Sequence, residues 1–467
     1  MSKNQELKRG LKSRHIQMIA LGGTIGVGLF MGSASTIKWT GPSVMIAYAV
    51  AGLFLFFIMR SMGEMLYLEP TTGSFADLGN KYIHPLAGYL TAWSYWFQWI
   101  IVGMSEIIAV GSYMNYWFPH LPTWVPGVVA MVILGVANMI SVKNFGEFEF
   151  WFSLIKVLTI VVLIIAGIGI ILFGFGNGGH AIGFSNIWKN GGFFTGGFKG
   201  FFFALSIVIG AYQGVELIGI TAGEAENPQK TITHAVKTTV WRILIFYIGA
   251  IFVIVTVYPW NQLNQIGSPF VSVFAKIGIT AAAGIINFVV ITAAMSGCNS
   301  GIFSATRMLY TLAKNGQAPK IFAKLSENKV PVYSTLTVLV GLVIGVVLSY
   351  VAPPSIFVYV YSASILPGMI PWFVLLISEI RFRKVNAGAM EKHPFKMPFA
   401  PYSNYATIVF LLVVLVGMFI NPSTRIPLIV GIAFLAIMTA IFYLLKMEKR
   451  VPLDEAENEK GTKPQAV

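Results

Sequence analysis

Apolar runs of about 20 residues recur along this chain, and no other feature restricts its fold as strongly. Each run is long enough to cross roughly 30 Å of hydrocarbon as a helix. Twelve are read, at 16–37, 42–60, 86–113, 125–142, 148–173, 198–222, 240–259, 278–303, 333–351, 355–378, 404–420 and 426–445, here called spans 1 to 12. Composition agrees: 56% of the 467 residues are hydrophobic, 11% are charged and mean hydropathy is +0.74, which excludes an ordinary soluble chain. The expectation is an all-α membrane protein, with a basic arm at 1–15, a twelve-helix domain at 16–446 and a disordered tail at 447–467. No cleavable signal peptide is expected, because the first apolar run follows a charged arm and continues into a glycine-rich stretch. The lone Cys298 excludes an internal disulfide and offers no metal pattern.

Charge gives an orientation. With the N-terminus cytoplasmic, twelve spans return the C-terminus to the same side, and 26 of the 32 Lys and Arg residues then face the cytoplasm. The positive-inside rule makes that placement the expected one, in a cytoplasmic membrane. The net charge of +14 is thereby explained as a topology signal, with membrane lipid as the partner of the basic loops and no nucleic acid. The glycine-rich connection Gly174–Lys199 fits no phosphate-loop register.

Two spans are interrupted. Span 1 carries Gly22, Gly23, Gly26 and Gly28 at mid-depth, and each glycine weakens a helix by roughly 1 kcal/mol against alanine. Span 6 is broken by Gly210-Ala-Tyr-Gln-Gly-Val-Glu216, which sets Gln213 and Glu216 in the membrane interior. Close helix packing through small residues is one reading, since Gly22 and Gly26 fit G-x-x-x-G. The other is a pair of broken helices that free backbone groups for a ligand. Spans 1 and 6 run in opposite directions and each opens a set of five, which favours an inverted-repeat transporter site.

Three further charges lie deep or close to the interface. Glu106 in span 3 sits deeper than an interfacial carboxylate should. Lys156 in span 5 lies about 10 Å past Glu149, where that span begins, so it either snorkels back or joins a buried site. Glu64, at the cytoplasmic end of span 2, reads as structural. The aromatic cluster Trp93, Tyr95, Trp96, Phe97 and Trp99 reads as an interface belt or packing.

Arg14-His-Ile-Gln-Met-Ile-Ala-Leu-Gly-Gly-Thr-Ile-Gly-Val-Gly-Leu-Phe30 resembles the first-helix signature of bacterial amino-acid permeases in the amino acid–polyamine–organocation superfamily. Gly63-Glu-Met65, Gly73-Ser-Phe75, Tyr212 to Pro228, Asn299-Ser300 and Ser304 to Tyr310 match in the same order. The resemblance implies a LeuT-like fold, with spans 1–5 and 6–10 as inverted repeats and spans 11–12 peripheral. Gly103-Met-Ser-Glu-Ile107 is similar to the proline, threonine and histidine permease branch. Sodium-driven members hold their ion between helices 1, 5 and 8. Proton-driven members place a helix 5 lysine there, which Ser153-Leu-Ile-Lys-Val157 matches.

The chemistry of a zwitterionic amino acid fits the two breaks. N–H groups at Val27 and Gly28 suit its carboxylate. Carbonyls around Gly22, Gly23, Thr24, Ile25 and Gly26, and around Gly210, Ala211, Gln213 and Gly214, suit its ammonium. Tyr212, Gln213 and Glu106 are expected to read the side chain, with Tyr359-Val-Tyr-Ser-Ala-Ser364 of span 10 either contributing or simply packing. Lys156 and Glu216 are the candidates for proton coupling, the proton being the only cofactor-like species expected. The expected activity is import of neutral amino acids by proton symport and alternating access. An exchanger of the same fold or a non-transporting receptor are the alternatives, and an enzyme is not expected: no nucleophile–His–acid set is present and none of the six histidines lies at mid-span. The oligomeric state is left open.

Overall fold

The computed structural model describes residues 18, 21–70, 74–140, 142–222, 228–265, 269–276, 280–352 and 356–449. The basic arm 1–15, the tail from 450, and parts of three motifs, 14–17 with 19–20, Gly73 and 223–227, lie outside the described residues. Within the described residues the chain is helical with no strand. Among the described residues, ten helices are long and apolar enough to cross a membrane.

Where each helix begins and ends follows from local sequence. Pro85 and Pro422 open their helices at positions whose N–H has no helical partner anyway. His84 caps the first by accepting from Leu86 N at 3.2 Å, and Asn421 caps the second by accepting from Ser423 N at 3.0 Å. The 42-residue stretch Val27–Leu68 would be about 63 Å long as one straight helix, twice the hydrocarbon thickness. It is divided by a 3-10 turn at Gly41–Ser43, where Thr40 and Ser43 hydroxyls meet at 2.5 Å. Trp124–Ile140, of 17 residues, is at the short end of a spanning length. Span 5 was expected from 148; the helix in fact runs Val142–Phe173, which moves Glu149 from its end to two turns inside.

Helices sort into an interior and a rim. In Gly197–Ile220 and Gly284–Lys314, 83% of the most apolar stretch is buried in protein, against 22% in Pro422–Leu444 and 33% in Val332–Val351. The rim presents apolar side chains outward, among them Ile426, Val340 and Val416. In water such a surface would aggregate; against acyl chains it has no cost. Pro85–Met114 and Thr280–Lys314 form the most extensive helix pair, and Val142–Phe173 packs on the second of them and on Pro228–Val257. These interior helices surround both interrupted segments.

A polar cluster ties the ends of three helices together. Arg383 grips Glu64 with two bonds, Nε to Oε1 at 2.8 Å and NH2 to Oε2 at 2.6 Å, and its Nε also lies 2.5 Å from Glu379. Glu64 further accepts Met397 N at 2.5 Å, and Asn404 donates to Glu379 at 2.7 Å. Val44–Leu68, Ile365–Val385, the 392–401 segment and Tyr402–Ile420 are thus joined through one guanidinium. Glu64 is fully buried, so removing its charge leaves Arg383 half-compensated. Glu64→Gln should destabilise the protein by about 3 kcal/mol, read as a lower melting temperature in detergent, without changing which solutes it recognises.

Candidate functional site

The first interruption is sharp. Residues 21–24 are helical, Ile25 and Gly26 bend, and Gly26 adopts an extended conformation before Val27–Phe30 resumes. Leu29 N and Phe30 N return to Gly26 O at 3.1 and 3.3 Å, so Val27 and Gly28 lie in the first turn, where helices lack internal acceptors. Val27 N instead reaches Glu106 Oε1 at 3.5 Å. The new helix passes very close to the other broken segment. A Cβ on Gly28 would fall 2.2 Å from the Tyr361 hydroxyl and 2.9 Å from Ala211 Cα, so only glycine fits the crossing.

The second interruption lies in the 197–222 segment. Gly197–Tyr212 ends, Gln213 is extended, Gly214 has φ +104°, and Leu217–Ala222 restarts the helix. That φ is a glycine conformation. Glu216 turns back to accept Gly214 N with both oxygens, at 3.0 and 3.1 Å, and also accepts Trp372 Nε1 at 3.3 Å. A Cβ on Gly214 would lie 2.5 Å from Gly23 O, so the two breaks touch backbone to backbone. Tyr247 straddles both: its hydroxyl is 2.7 Å from Thr24 O and 2.8 Å from Ala211 O.

Between the breaks is a cavity of about 20 Å³, room for about one water. Gly23, Thr24, Gly26, Gly28, Glu106, Gly210, Ala211 and Gln213 line it, together with Gln98, Trp99, Val102 and Tyr361. Glu106 Oε2 and Gln98 Oε1 are both buried without a hydrogen-bond partner. The remaining anticipated residues stand behind this wall. Gly22 faces Ser153 and Glu149, Ile25 and Val27 are packed in the core, and Gly214 faces Gly23. Tyr212 points away, its hydroxyl donating to Tyr48 O at 2.9 Å, and Glu216 is taken up by its own loop.

Lys156 occupies a second polar centre against the first break. It is fully buried, which leaves no room for the snorkelling alternative. Its ammonium donates to Gly22 O at 2.5 Å and to Ser296 Oγ at 2.9 Å. The Ser296 hydroxyl in turn donates a hydrogen bond to Glu149 Oε1 at 2.5 Å, and Glu149 also accepts from Ser153 at 3.3 Å and Asn299 at 3.5 Å. Asn138 continues the chain, donating to Asn299 Oδ1 at 2.7 Å. Glu149 was missed as a site residue because its helix was started too late. Gln98 was passed over inside an aromatic cluster, although a lone amide amid apolar residues was itself the signal. Tyr361 had been singled out only as part of the Tyr359–Ser364 run.

Two interrupted helices that meet at a small polar cavity, inside a bundle with an apolar rim, are the arrangement of a carrier for a small polar solute. The sequence matches the amino acid permease family over residues 15–449. It is 73% identical over 458 residues to a probable threonine/serine transporter, YbxG, of Bacillus subtilis (strain 168), covering 98% of this chain and 99% of that one. Similar too are the amino-acid permease AapA (44% over 438 residues; 94% and 95% covered) and a gamma-aminobutyric acid permease (40% over 453 residues; 97% and 96% covered), both of Bacillus subtilis (strain 168). The chain therefore belongs to the amino acid permease family and is a transporter rather than an enzyme.

The two close approaches separate two kinds of defect. Gly214→Ala strains the backbone and pushes on Gly23 O, so it should cost of order 1–3 kcal/mol of stability. Gly28→Ala meets the Tyr361 hydroxyl and, at 2.9 Å, the Ala211 backbone, so it should force the two breaks apart and lose amino-acid uptake even in the fraction that keeps a monodisperse elution peak in detergent.

Proposed function

We propose that this protein imports small neutral amino acids, serine and threonine foremost, across the cytoplasmic membrane by proton symport and alternating access. The observation that carries this reading is the cavity bounded by both interruptions, with a buried ammonium bound to a carbonyl of the first. The substrate class is supported by the printed name of the 73% identical relative. Counting Val27–Leu68 as the outer half of span 1 plus span 2, and adding Trp124–Ile140, supports the twelve-span, LeuT-like reading, with both termini cytoplasmic as the charge distribution favours.

In this mechanism the substrate carboxylate takes the N–H groups of Val27 and Gly28, at the start of a helix. Glu106 Oε1 already holds Val27 N, so the incoming carboxylate displaces it, and Glu106 turns to the substrate ammonium along with carbonyls of residues 23–25 and 210–214, the Gly22 carbonyl being held by Lys156. The cavity as it stands is smaller than any amino acid, so entry requires the two breaks to move apart. Lys156 ties the first break to Val142–Phe173 and Thr280–Lys314, which makes it the residue through which protonation governs that movement. Glu149, one serine away, is the group that exchanges protons with it.

The test is uptake of labelled serine and threonine into liposomes holding the purified protein under an imposed pH gradient. Accumulation should follow the proton gradient without sodium. Lys156→Met should abolish accumulation while retaining exchange in part, and Glu149→Gln should slow it by roughly ten- to hundredfold, the worth of a hydrogen bond to a charged group. Glu106→Gln should lower uptake of every amino acid, since the ammonium it meets is common to all of them, while changing the yield of folded protein less. Strict sodium dependence would remove the proton mechanism, and failure to move any amino acid would remove substrate import altogether.

A further inference from the structure

Gln98 projects from Pro85–Met114 onto the cavity wall, and the orientation of its amide is fixed by a relay. Gln213 Nε2 donates to Ile365 O at 2.9 Å. An amide carries its nitrogen and oxygen on opposite branches, so Gln213 Oε1 must face the other way, toward Gln98. Gln98 Nε2 meets it at 3.4 Å. Turning either amide over would set two oxygens against each other, so the relay leaves Gln98 Oε1 as the end without a partner. Gln98 is fully buried, and a buried acceptor left bare is costly unless something else supplies a donor.

The neighbouring wall narrows what that donor belongs to. Trp99, Val102 and Tyr361 line the same cavity, so the amide stands among bulky neighbours, which favours a short ligand side chain. An acceptor-only atom gains from a hydroxyl and gains nothing from a methyl group; a carbonyl or carboxylate side chain would be repelled. Resting on the amino-acid transport reading above, we propose that the Gln98–Gln213 amide pair selects the substrate side chain, Gln98 Oε1 accepting the hydrogen bond of a β-hydroxyl. Gln213 acts as the positioning residue that prevents Gln98 from turning its nitrogen inward.

The discriminating experiment is competition against labelled serine uptake in liposomes. Threonine and valine are nearly the same shape, and O-methylserine keeps the oxygen but lacks the proton. The wild type should prefer threonine over valine by about tenfold or more, because a site that bonds a hydroxyl rejects the analogue lacking it, and O-methylserine should compete poorly. Gln98→Met should bring threonine and valine close to parity while valine uptake persists. Gln213→Leu frees the Gln98 amide to turn and should selectively improve O-methylserine, which gives a second route if Gln98→Met does not fold. Equal competition by threonine and valine in the wild type, or an unchanged ratio in either folded variant, overturns the assignment. Amino-acid uptake with no hydroxyl preference sinks this inference alone, whereas no uptake of any amino acid sinks the reading beneath it.

Discussion

A helix opened inside hydrocarbon exposes carbonyls that no water can reach, and the structure depends on how the Gly22 carbonyl is satisfied. It receives the ammonium of Lys156, a full charge brought from a different helix. That charge is itself buried, which is tolerable only because Ser296 and, through it, Glu149 compensate it. The result is a single polar knot joining the first interruption, Val142–Phe173 and Thr280–Lys314. Asn299 and Asn138 extend it to a fourth helix, Trp124–Ile140. Without the knot, the break would be an unsatisfied defect; with it, the break is the point at which four helices are held in register.

The second interruption is held differently. Glu216 closes its own loop, and the contact with the first break is backbone against backbone at Gly214 and Gly23. Tyr247 lies within reach of a carbonyl from each side, and its one proton can serve only one of them at a time. The two breaks are therefore locked together by a close fit and a shared hydroxyl rather than by charge. The first break is thus held on one side by a charged clamp and on the other by a close, uncharged contact.

Axial position along the membrane was legible in the sequence, and position around each helix was not. Apolar runs marked the spans, and Gly26 and Gly214 marked the depth of the breaks, because glycine and polar residues at mid-span contradict everything around them. Which neighbour a side chain meets depends on packing between segments far apart in the chain. Glu64 read as structural, but nothing local tied it to Arg383, 319 residues away, whose charge served the sequence reading only as a topology signal. Tyr212 sits inside the break and was expected to face a ligand; it turns onto Tyr48 instead. Glu149 was discounted because a helix start was misplaced by two turns, which turned a buried partner into an apparent interfacial charge. The charged arm and tail could be read only as composition.

Charge compensation also separates the roles of the buried carboxyls. Glu149 has three hydroxyl or amide donors, and Glu216 has a backbone N–H and an indole. Glu106 has one long bond from Val27 and an oxygen with no partner. In a dry interior the least compensated carboxyl is the one that gains most from arriving positive charge. It is also the one that lines the cavity, whereas the other two stand behind the breaks. Glu149 and Glu216 are thus compensated within the protein, and Glu106 alone of the three leaves an unpartnered oxygen beside the cavity. Gly26 and Gly297 both pack against this carboxyl, and a Cβ on either would come within 2.7 Å of its Oε1.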